Sequence, residues 1–575
     1  MVAWSQVSSW RVARWRHVNA STCRSGLRPR RTVPPSPPHK QAASMILVER
    51  GPASSHVPAE PARAGEPAPD VLEFPSARRL GWSLKVHYRN DERSRFRRLP
   101  GGWLYVASPT GLECFPDLAA IIDNAHFTGL PAALDALEHM RPAAFVAYDE
   151  QTEELQFGRS LDGFASLYFG GELPAIVIGE SNFVVARRLG PIRFSKADEE
   201  AYCKNWSPGP EGSFLEGVTR CFAGVRYLLD VERDAPDRCF AACEYESVAQ
   251  GLLIHRMREE MLRICATYKT KRLALQLSSG VDSRFVLAAL LDGVNQGVLT
   301  REQIVCVSVM FSGHDWDESN EARQIANFSG FEWVGVEADE KRAQSALLKS
   351  LTAHSPPFPT NFMPLLCMNI AKKVGAQILL SGHGGDEIFC FDSIDVLGHS
   401  WMTRFRNLSV LRNLSSSLAP VAYAKAIVGA WLGRRSLFDT RRMLRQLQVP
   451  VESIYLHRLG RRLGVASGIG YEALATSAED FRLFVDAPLF RSSIASFVDP
   501  ALCQHPSGDN YKAPAFLYMD SVAPGLVEVR TRKVTFGAMM RQRFGGVLFE
   551  CDAVDGQGAA RYGSTAMYRA WRSQF

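Results

Sequence analysis

The sequence predicts an α/β protein with two folded parts, a β-rich α+β domain followed by a domain with a doubly wound parallel sheet. Short alternating strands separated by turn residues predict the first part, up to about residue 235. Strand-like runs that alternate with helix-like runs predict the second part, from residue 239 onward. The 575 residues are 46% hydrophobic and 22% charged, which suffices for two or three domains and excludes a wholly disordered chain. The formal net charge of +6 is small for this length and argues against a nucleic-acid partner.

Residues 1–77 are predicted to be a disordered extension, basic at first and then rich in Pro and Ala. The segment 1–48 has no Asp or Glu and lacks the apolar region of a secretory signal. Translation could begin at Met1 or at Met45, and the folded protein is expected to begin near Arg78. No stretch approaches the roughly 20 apolar residues of a membrane span. Twelve scattered cysteines without a CxxC pair are typical of a reduced, cytoplasmic enzyme.

The first domain is predicted over residues 78–238 from seven strand-like runs and one helix. The helix is PDLAAIIDNAHF at 116–127. The strand-like runs are GWSLKVHY at 81–88, GWLYVAS at 102–108, AAFVAYD at 143–149, ELQFGRS at 154–160, SLYF at 166–169, AIVIG at 175–179 and NFVVAR at 182–187.

The second domain is predicted over residues 239–575. It opens with a long amphipathic segment at 246–269. Three strand-like runs follow, RLALQLSS at 272–279, IVCVSVMF at 304–311 and AQILLSG at 376–382, and helix-like runs lie between them at 281 onward, 318–330 and 362–375. In a doubly wound sheet, ligands bind at the carboxyl ends of the strands, so the residues that follow these runs are the candidates for chemistry.

The first of these strands ends in Ser278-Ser279-Gly280-Val281-Asp282-Ser283, directly before a helix. Small hydroxyl and glycine residues at such a turn let backbone N–H groups surround a phosphate, and the helix N-terminus adds partial positive charge. The motif lacks the lysine of a Walker loop. A Ser/Gly turn that only caps the helix is the structural alternative.

The third strand ends in Gly382-His383-Gly384-Gly385-Asp386-Glu387. Carboxylates at the ends of two parallel strands, Asp282 and Asp386, could share Mg²⁺ with a nucleoside triphosphate. A tight glycine turn with an Asp cap is the structural alternative for the second turn alone.

Together, the SSGVDS turn, the run DESNEA at 317–322 and SGHGGDEIF at 381–389 resemble, in order, the synthetase domain of the asparagine synthetase family. The resemblance implies an ATP pyrophosphatase fold in which ATP and Mg²⁺ activate a carboxylate as an acyl-adenylate, and a nitrogen nucleophile then displaces AMP. It also implies that the two turns bind the nucleotide and that Asp282 and Asp386 bind magnesium. The implied nucleotide-binding residues are Ser278, Ser279, Gly280, Asp282, Ser283, Gly382, Gly384 and Gly385.

Two departures from the family pattern stand out. Ser279 takes the place of the first glycine of the usual S-G-G-x-D-S turn. Near the C-terminus, Lys533 and Phe536 match a K-x-x-F pattern, but the accompanying arginine is at Arg530 or Arg532, one position from its usual register. In relatives that close an amide ring, this lysine stabilises charge in the transition state, and an exposed surface lysine is the structural alternative.

The first domain resembles the N-terminal glutaminase domain of the same family, an Ntn-hydrolase-like α+β fold, through RSLDG at 159–163 and LYF at 167–169. A working glutaminase needs a cysteine directly after the initiator methionine. Val2 follows Met1 and Ile46 follows Met45, so glutamine hydrolysis is not expected. The nitrogen nucleophile must then come from another source.

His383 lies where asparagine synthetases carry a glutamate and β-lactam synthetases a tyrosine. The H-G-G-D turn resembles that of lasso peptide cyclases, which join an Asp or Glu side-chain carboxylate of a peptide to its α-amine. This resemblance implies a precursor core peptide as substrate, a leader-cleaving protease as a second partner, and catalytic roles for Lys533, His383 and Glu387. A structural role for His383 stays open. So do a β-lactam synthetase-like or ammonia-dependent asparagine synthetase-like ligase and a non-catalytic ATP-binding scaffold.

A basic helical insertion is predicted at about 400–465. This segment contains twelve Lys and Arg residues but only two acidic residues, Asp439 and Glu452. Such a segment could hold an acidic or C-terminal part of a peptide, or a partner protein. It is equally compatible with a solvated helix face. Few aromatic residues are interleaved, so a nucleic-acid surface is not favoured.

Overall fold

A computed structural model describes the chain in segments, all within one compact unit, Lys40–Phe575. The described residues are 46–52, 70–75, 82–88, 94–108, 112, 130, 133–134, 144–159, 165–171, 175–205, 211–222, 224–230, 236–240, 248–314, 317–339, 342, 345–346, 362–389, 483–491, 493–498, 512–528, 568–569 and 571–573. The predicted helix at 116–127, the basic insertion at 400–465 and Lys533 lie outside them.

The first domain contains a six-stranded antiparallel sheet with the order β10-β8-β9-β1-β3-β2. Its strand β1 lies between β3 and β9, with Val48 opposite Val86 on one side and Ile178 on the other. The strands are β1 (Ile46–Pro52), β2 (Asp70–Pro75), β3 (Trp82–Tyr88), β8 (Tyr168–Gly170), β9 (Ile176–Gly179) and β10 (Val218–Arg220). The sequence predicts that the folded part of the chain begins near Arg78, and this is wrong, because β1 and β2 precede that residue. Both strands are held by pairing with other strands, although the stretch between them is rich in Pro and Ala.

A second six-stranded antiparallel sheet has the order β12-β11-β7-β6-β5-β4. Its strands are β4 (Ser94–Leu99), β5 (Gly102–Ala107), β6 (Ala144–Asp149), β7 (Glu154–Arg159), β11 (Val225–Leu229) and β12 (Asp237–Phe240). Aromatic contacts join the two sheets: Phe74 of β2 stacks on Trp103 of β5 at 6.3 Å, and Phe169 of β8 meets Phe157 of β7 edge-on at 5.3 Å. The sheets therefore enclose a shared core, which confirms a β-rich first domain.

One predicted strand of this domain is a helix. The segment NFVVAR belongs to helix α1 (Asn182–Leu189), which is followed by α2 (Lys196–Asn205). The Ser181 hydroxyl caps α1 by accepting a hydrogen bond from the backbone N–H of Val184 at 3.4 Å. The adjacent β-branched valines favour a strand by local propensity, but the cap and burial of the apolar face of the helix outweigh it.

The second domain contains a five-stranded, all-parallel sheet in the order β15-β14-β13-β16-β17. Its strands are β13 (Leu273–Gln276), β14 (Ile304–Met310), β15 (Glu332–Glu337), β16 (Ile378–Leu380) and β17 (Phe484–Asp486). In chain order this is the arrangement 3-2-1-4-5 of a doubly wound sheet, which confirms the predicted class. The order reverses between β13 and β16.

The α-helices of this domain follow the predicted alternation. They are α3 (Leu253–Ala266), α4 (Val281–Asn295), α5 (Ser319–Phe328), α6 (Phe362–Lys373), α7 (Gly385–Phe389), α8 (Pro488–Arg491), α9 (Ile494–Phe497), α10 (Ala513–Val522) and α11 (Pro524–Glu528). Short 3₁₀ turns at Gln250–Leu252 and Arg301–Gln303 precede α3 and β14. No helix in the described segments has the length and apolar character to cross a membrane.

The last described residues pack on the first domain. Trp571 is fully buried, and its ring lies 5.7 Å from those of Phe183 and Phe194 and 5.3 Å from that of Phe214. Tyr568, also buried, adds a contact to Phe214 at 6.0 Å. The end of the chain therefore contributes to the aromatic core of the first domain, which the predicted boundary at 239 does not anticipate.

Candidate active site at the strand-order reversal

The two predicted turns follow neighbouring strands at the point where the strand order reverses. Strands β13 and β16 are paired in parallel with Leu275 opposite Leu380, so the chain leaves both strands at the same edge of the sheet. A crevice forms at such a reversal because the connections on either side run to opposite faces of the sheet. The structure thus brings together the two turns that the sequence predicted to act jointly.

The first turn is held by its own serines. The Ser283 hydroxyl accepts a hydrogen bond from the backbone N–H of Ser278 at 3.1 Å and lies 3.0 Å from the Ser278 hydroxyl. The Ser278 hydroxyl in turn accepts from the backbone N–H of Gly280 at 3.1 Å. Helix α4 begins directly after Gly280, so its N-terminal partial positive charge points to this turn. The arrangement suits an anion that accepts backbone hydrogen bonds.

The second turn is packed against the first with no room for side chains at two glycines. A Cβ on Gly382 would meet the backbone of Asp282 and Ser283, with Asp282 C at 2.7 Å and Ser283 Cα at 2.8 Å. A Cβ on Gly385 would meet the Asp282 side chain. Gly384 adopts φ = 101°, a conformation that side chains with a Cβ rarely take. Gly382 and Gly385 allow the close approach, and Gly384 allows the sharp turn.

Asp282 forms an ion pair with Lys512, the residue that precedes helix α10. The side chains are 28% and 14% exposed, so the pair lies at the wall of the crevice rather than on the open surface. Lys512 is not predicted from the sequence, because it lies 230 positions from Asp282 and no local pattern links the two. Its ammonium places a positive charge beside a carboxylate that faces the predicted nucleotide site.

Glu318 contacts the first turn from the start of α5. Its carboxylate accepts a hydrogen bond from the backbone N–H of Ser279 at 3.3 Å, and the buried Ser279 hydroxyl also faces it without meeting hydrogen-bond geometry. Burial raises the pKa of Glu318, and the interactions with Ser279 only partly oppose that shift. Glu318 is within the DESNEA run that the sequence analysis singled out, but its contact with Ser279 was not predicted.

A buried arginine stabilises the same turn through hydrogen bonds. Arg284 is 1% exposed and donates to the carbonyl oxygen of Ser279 at 2.7 Å and to that of Leu526 at 2.9 Å. Burial lowers the pKa of its guanidinium. Because Leu526 lies in α11, Arg284 couples the phosphate turn to the C-terminal helices.

The predicted catalytic residues are placed only in part. The His383 ring Nδ1 lies 3.1 Å from the Ser381 hydroxyl, and His383 lines the crevice. Asp386 and Glu387 follow Gly385 within helix α7, one and two positions beyond the glycine that contacts Asp282. Their proposed roles stay predictions, as does that of Lys533.

The crevice between the turns has a volume of about 360 Å³, within the range of small-molecule sites. It is bordered by both turns, by the end of β14 and by the start of α5 and α6. The lining residues are Gln276, Leu277, Ser278, Asp282, Ser283, Ser308, Val309, Phe311, Glu318, Ser319, Ala322, Met363, Ser381, Gly382, His383 and Gly384. Polar groups thus cluster at the turns, while Val309, Phe311, Ala322 and Met363 supply an apolar wall.

Part of this domain is similar to a known protein family. Residues 265–463 match the family model described as asparagine synthase. No curated protein matches the chain.

Two solved structures show a partial likeness. One is the allosteric regulatory enzyme of purine biosynthesis, 12% identical, with 44% of this chain and 66% of that chain aligned and a TM-score of 0.19. The other is the U34-tRNA thiolase NcsA from Methanococcus maripaludis, 15% identical, with 40% and 81% aligned and a TM-score of 0.21. This chain covers just under two thirds of the first, and at these TM-scores neither likeness bears on fold or function. The family match over residues 265–463 includes both turns, so this part of the chain is similar to asparagine synthase.

Proposed function

We propose that the protein is an ATP-dependent, AMP-forming ligase that adenylates an Asp or Glu side-chain carboxylate of a peptide and closes a macrolactam with the peptide's α-amine. The observation that carries the proposal is the contact between the two turns at the strand-order reversal, where Gly382 and Gly385 pack on Asp282 and Ser283. The asparagine synthase match over residues 265–463 supports the ligase class. The peptide substrate is the finer part of the proposal and rests on the sequence.

The residues fit a nucleoside triphosphate. The backbone N–H groups at the start of α4 supply donors for phosphate oxygens, and Gly382 lets the second turn pack on this part of the helix, because a Cβ there would meet the backbone of Asp282 and Ser283. A crevice of about 360 Å³ with one apolar wall suits a nucleotide of which only part is enclosed.

The described residues also fit Mg²⁺ in the form that accompanies nucleotides. Mg²⁺ is usually held by one or two carboxylates together with substrate phosphates. Asp282 offers one carboxylate, and Asp386 is expected to offer a second. The described residues contain no group of three or more His, Cys, Asp and Glu that could form a separate metal site. Bound Mg²⁺ would neutralise charge on the pyrophosphate as it leaves.

Each residue then has a defined task. The Ser278–Ser283 hydrogen bonds keep the turn rigid, and this fixes the direction of the N–H groups of the first turn of α4, which would bind phosphate. Lys512 orients the Asp282 carboxylate through their ion pair. His383, held by the Ser381 hydroxyl, is available to accept the proton that an attacking ammonium must lose.

The choice of nucleophile follows from the first domain. Strand β1 begins at Ile46 directly after Met45, so the position expected for a glutaminase cysteine carries an aliphatic side chain. The expectation from the sequence that glutamine is not hydrolysed favours an amine on the substrate itself as the nucleophile. Holding amine and activated carboxylate in one crevice would supply much of the rate through proximity. The first domain then serves as a scaffold.

ATP–pyrophosphate exchange in the presence of Mg²⁺ tests the proposal. Aspartate, glutamate and a library of peptides with a free α-amine and one Asp or Glu are compared as carboxylate substrates. We expect exchange with peptides only, lowered at least 100-fold by Asp282→Asn because several kcal/mol of charge stabilisation are lost. Asp339→Asn, which changes a surface ion pair with Arg342, is the matched control and leaves exchange unchanged.

The other results would each replace the proposal. Exchange with free aspartate would indicate an ammonia-dependent amide synthetase. Exchange with small β-amino acids but not with peptides would indicate a β-lactam synthetase-like enzyme. No exchange with any carboxylate, together with retained ATP binding, would indicate a non-catalytic scaffold.

A further inference from the structure

Gln276 is a polar residue at the end of an otherwise apolar strand. Leu273, Ala274 and Leu275 of β13 are fully buried, and Gln276 follows them as a half-buried residue in the crevice wall. A leucine or valine would continue the buried strand without a polar group. The glutamine therefore costs free energy in the unliganded protein unless its carboxamide has a partner.

The described part of the chain provides no such partner. The Oε1 atom of Gln276 is shielded from solvent and accepts no hydrogen bond within it. A buried carbonyl oxygen without a donor is uncommon in folded proteins. A donor that arrives with a ligand would remove the penalty, and the crevice is the route by which it would arrive.

The surroundings of Gln276 place it on the His383 side of the crevice. Leu275 is opposite Leu380 in the parallel pairing, so the next residues along the two strands, Gln276 and Ser381, are neighbours. Gln276, Ser381 and His383 also share a hollow of about 10 Å³ with apolar side chains of α6, including Met368. The space is enough for about one small polar group, and that group would meet three polar side chains.

We propose that Gln276, with Ser381 and His383, forms the subsite that holds the nucleophilic amine of the substrate. This inference rests on the proposed function and identifies where the second half-reaction takes place. A primary amine carries N–H donors for the Gln276 oxygen, and its ammonium form can lose a proton to the imidazole of His383.

The step that follows is balanced. The amine lone pair forms the new C–N bond at the acyl carbon, the bond between that carbon and the phosphate oxygen breaks, and AMP leaves with the electron pair. The attacking nitrogen then carries two protons: one is lost to solvent as AMP departs, and the other stays as the amide N–H.

The 6-amino group of adenine has the same donor chemistry, so the test must separate the two. Hydroxylamine is a small, strong nucleophile that captures an adenylated carboxylate as a hydroxamate without needing a binding site for a peptide amine. Hydroxamate formation therefore reports adenylation, and lactam formation, measured by mass spectrometry on the same peptide, reports capture of the amine.

We expect Gln276→Leu to lower lactam formation at least tenfold while hydroxamate formation and the KM for ATP stay within twofold of the wild-type values. Gln276→Met takes its place should the leucine variant not fold. Gln296→Leu is the matched control, because Gln296 is exposed at the far end of α4, about 22 Å along the helix from the turn.

Three results would overturn the inference while the proposed function stands. These are an equal loss of hydroxamate and lactam, no loss of either, and a raised KM for ATP, which would assign the carboxamide to adenine. If the wild-type protein forms no hydroxamate with any carboxylate, the proposed function fails and the amine subsite falls with it.

Discussion

The contact between the two turns can be tested by adding one methyl group. In Gly382→Ala, the new Cβ would lie 2.7 Å from Asp282 C and 2.8 Å from Ser283 Cα, whereas ordinary contacts begin near 3.4 Å. All the opposing atoms are backbone in the first turn of α4, so they cannot rotate away. The turns must separate by at least about 0.6 Å. Overpacking of this kind costs about 3 kcal/mol, and a displacement near 1 Å at a reacting centre lowers rates about 100-fold.

Gly385→Ala separates the effect on stability from that on activity. Its Cβ would meet the side chain of Asp282, which can rotate if it leaves Lys512. We therefore expect a loss of about 1 kcal/mol in the free energy of unfolding, but a loss of ATP–pyrophosphate exchange comparable to that of Gly382→Ala.

Urea denaturation and ATP–pyrophosphate exchange measure the two quantities on each variant. Gly251→Ala is the control, because nothing lies within 4 Å of its Cβ and its backbone is not in the left-handed region. Wild-type stability and exchange in Gly382→Ala would refute the packing of the two turns, and with it the basis of the proposed site.

Three further outcomes follow from single contacts. Lys512→Met should lower exchange about tenfold, or 1.4 kcal/mol, by releasing Asp282, while the exposed Lys372→Met leaves exchange unchanged. Burial raises the pKa of Glu318 above its unfolded value of 4.5, so its stabilising effect is present below pH 4.5 and is lost as pH rises through the folded pKa. Glu318→Gln should therefore gain stability relative to wild type between pH 4 and pH 7.5 in urea titrations, and a constant difference would contradict this. Trp571→Ala should lower the free energy of unfolding by about 3–5 kcal/mol, because it leaves a cavity in the aromatic core of the first domain. An unchanged urea midpoint would contradict that packing.

The sequence predicts the parallel sheet well because periodicity and turn chemistry agree there. Strands β13 and β14 are continuous apolar runs, as strands buried on both faces are, and the small polar residues after β13 mark the start of α4. The adjacency of β13 and β16 follows from the same pattern once the sheet is doubly wound. The sequence pattern therefore predicts that the two turns lie next to each other.

The remaining features depend on contacts that local sequence does not encode. Strand β1 is flanked by a Pro/Ala-rich stretch, so only its pairing with β3 and β9 identifies it. The helix α1 overrides the strand propensity of its valines through one cap. Lys512 gains its significance from Asp282, 230 positions away, and such a spacing leaves no periodic pattern. Gln276 gains its significance from its position in the crevice wall, which the strand pattern alone does not give.

Ser279 is the clearest departure from the family turn, and its surroundings explain how the domain accommodates it. The residue is 1% exposed, its backbone N–H is bound by Glu318, and its carbonyl oxygen is bound by Arg284. The Ser279 hydroxyl is buried and does not line the crevice. Because the backbone of Ser279 is held on both sides, the substitution is compatible with the shape of the turn and with a retained nucleotide site. The same contacts make Glu318 the residue through which pH would act on the turn, since ionisation of its buried carboxyl strengthens its hold on the Ser279 N–H.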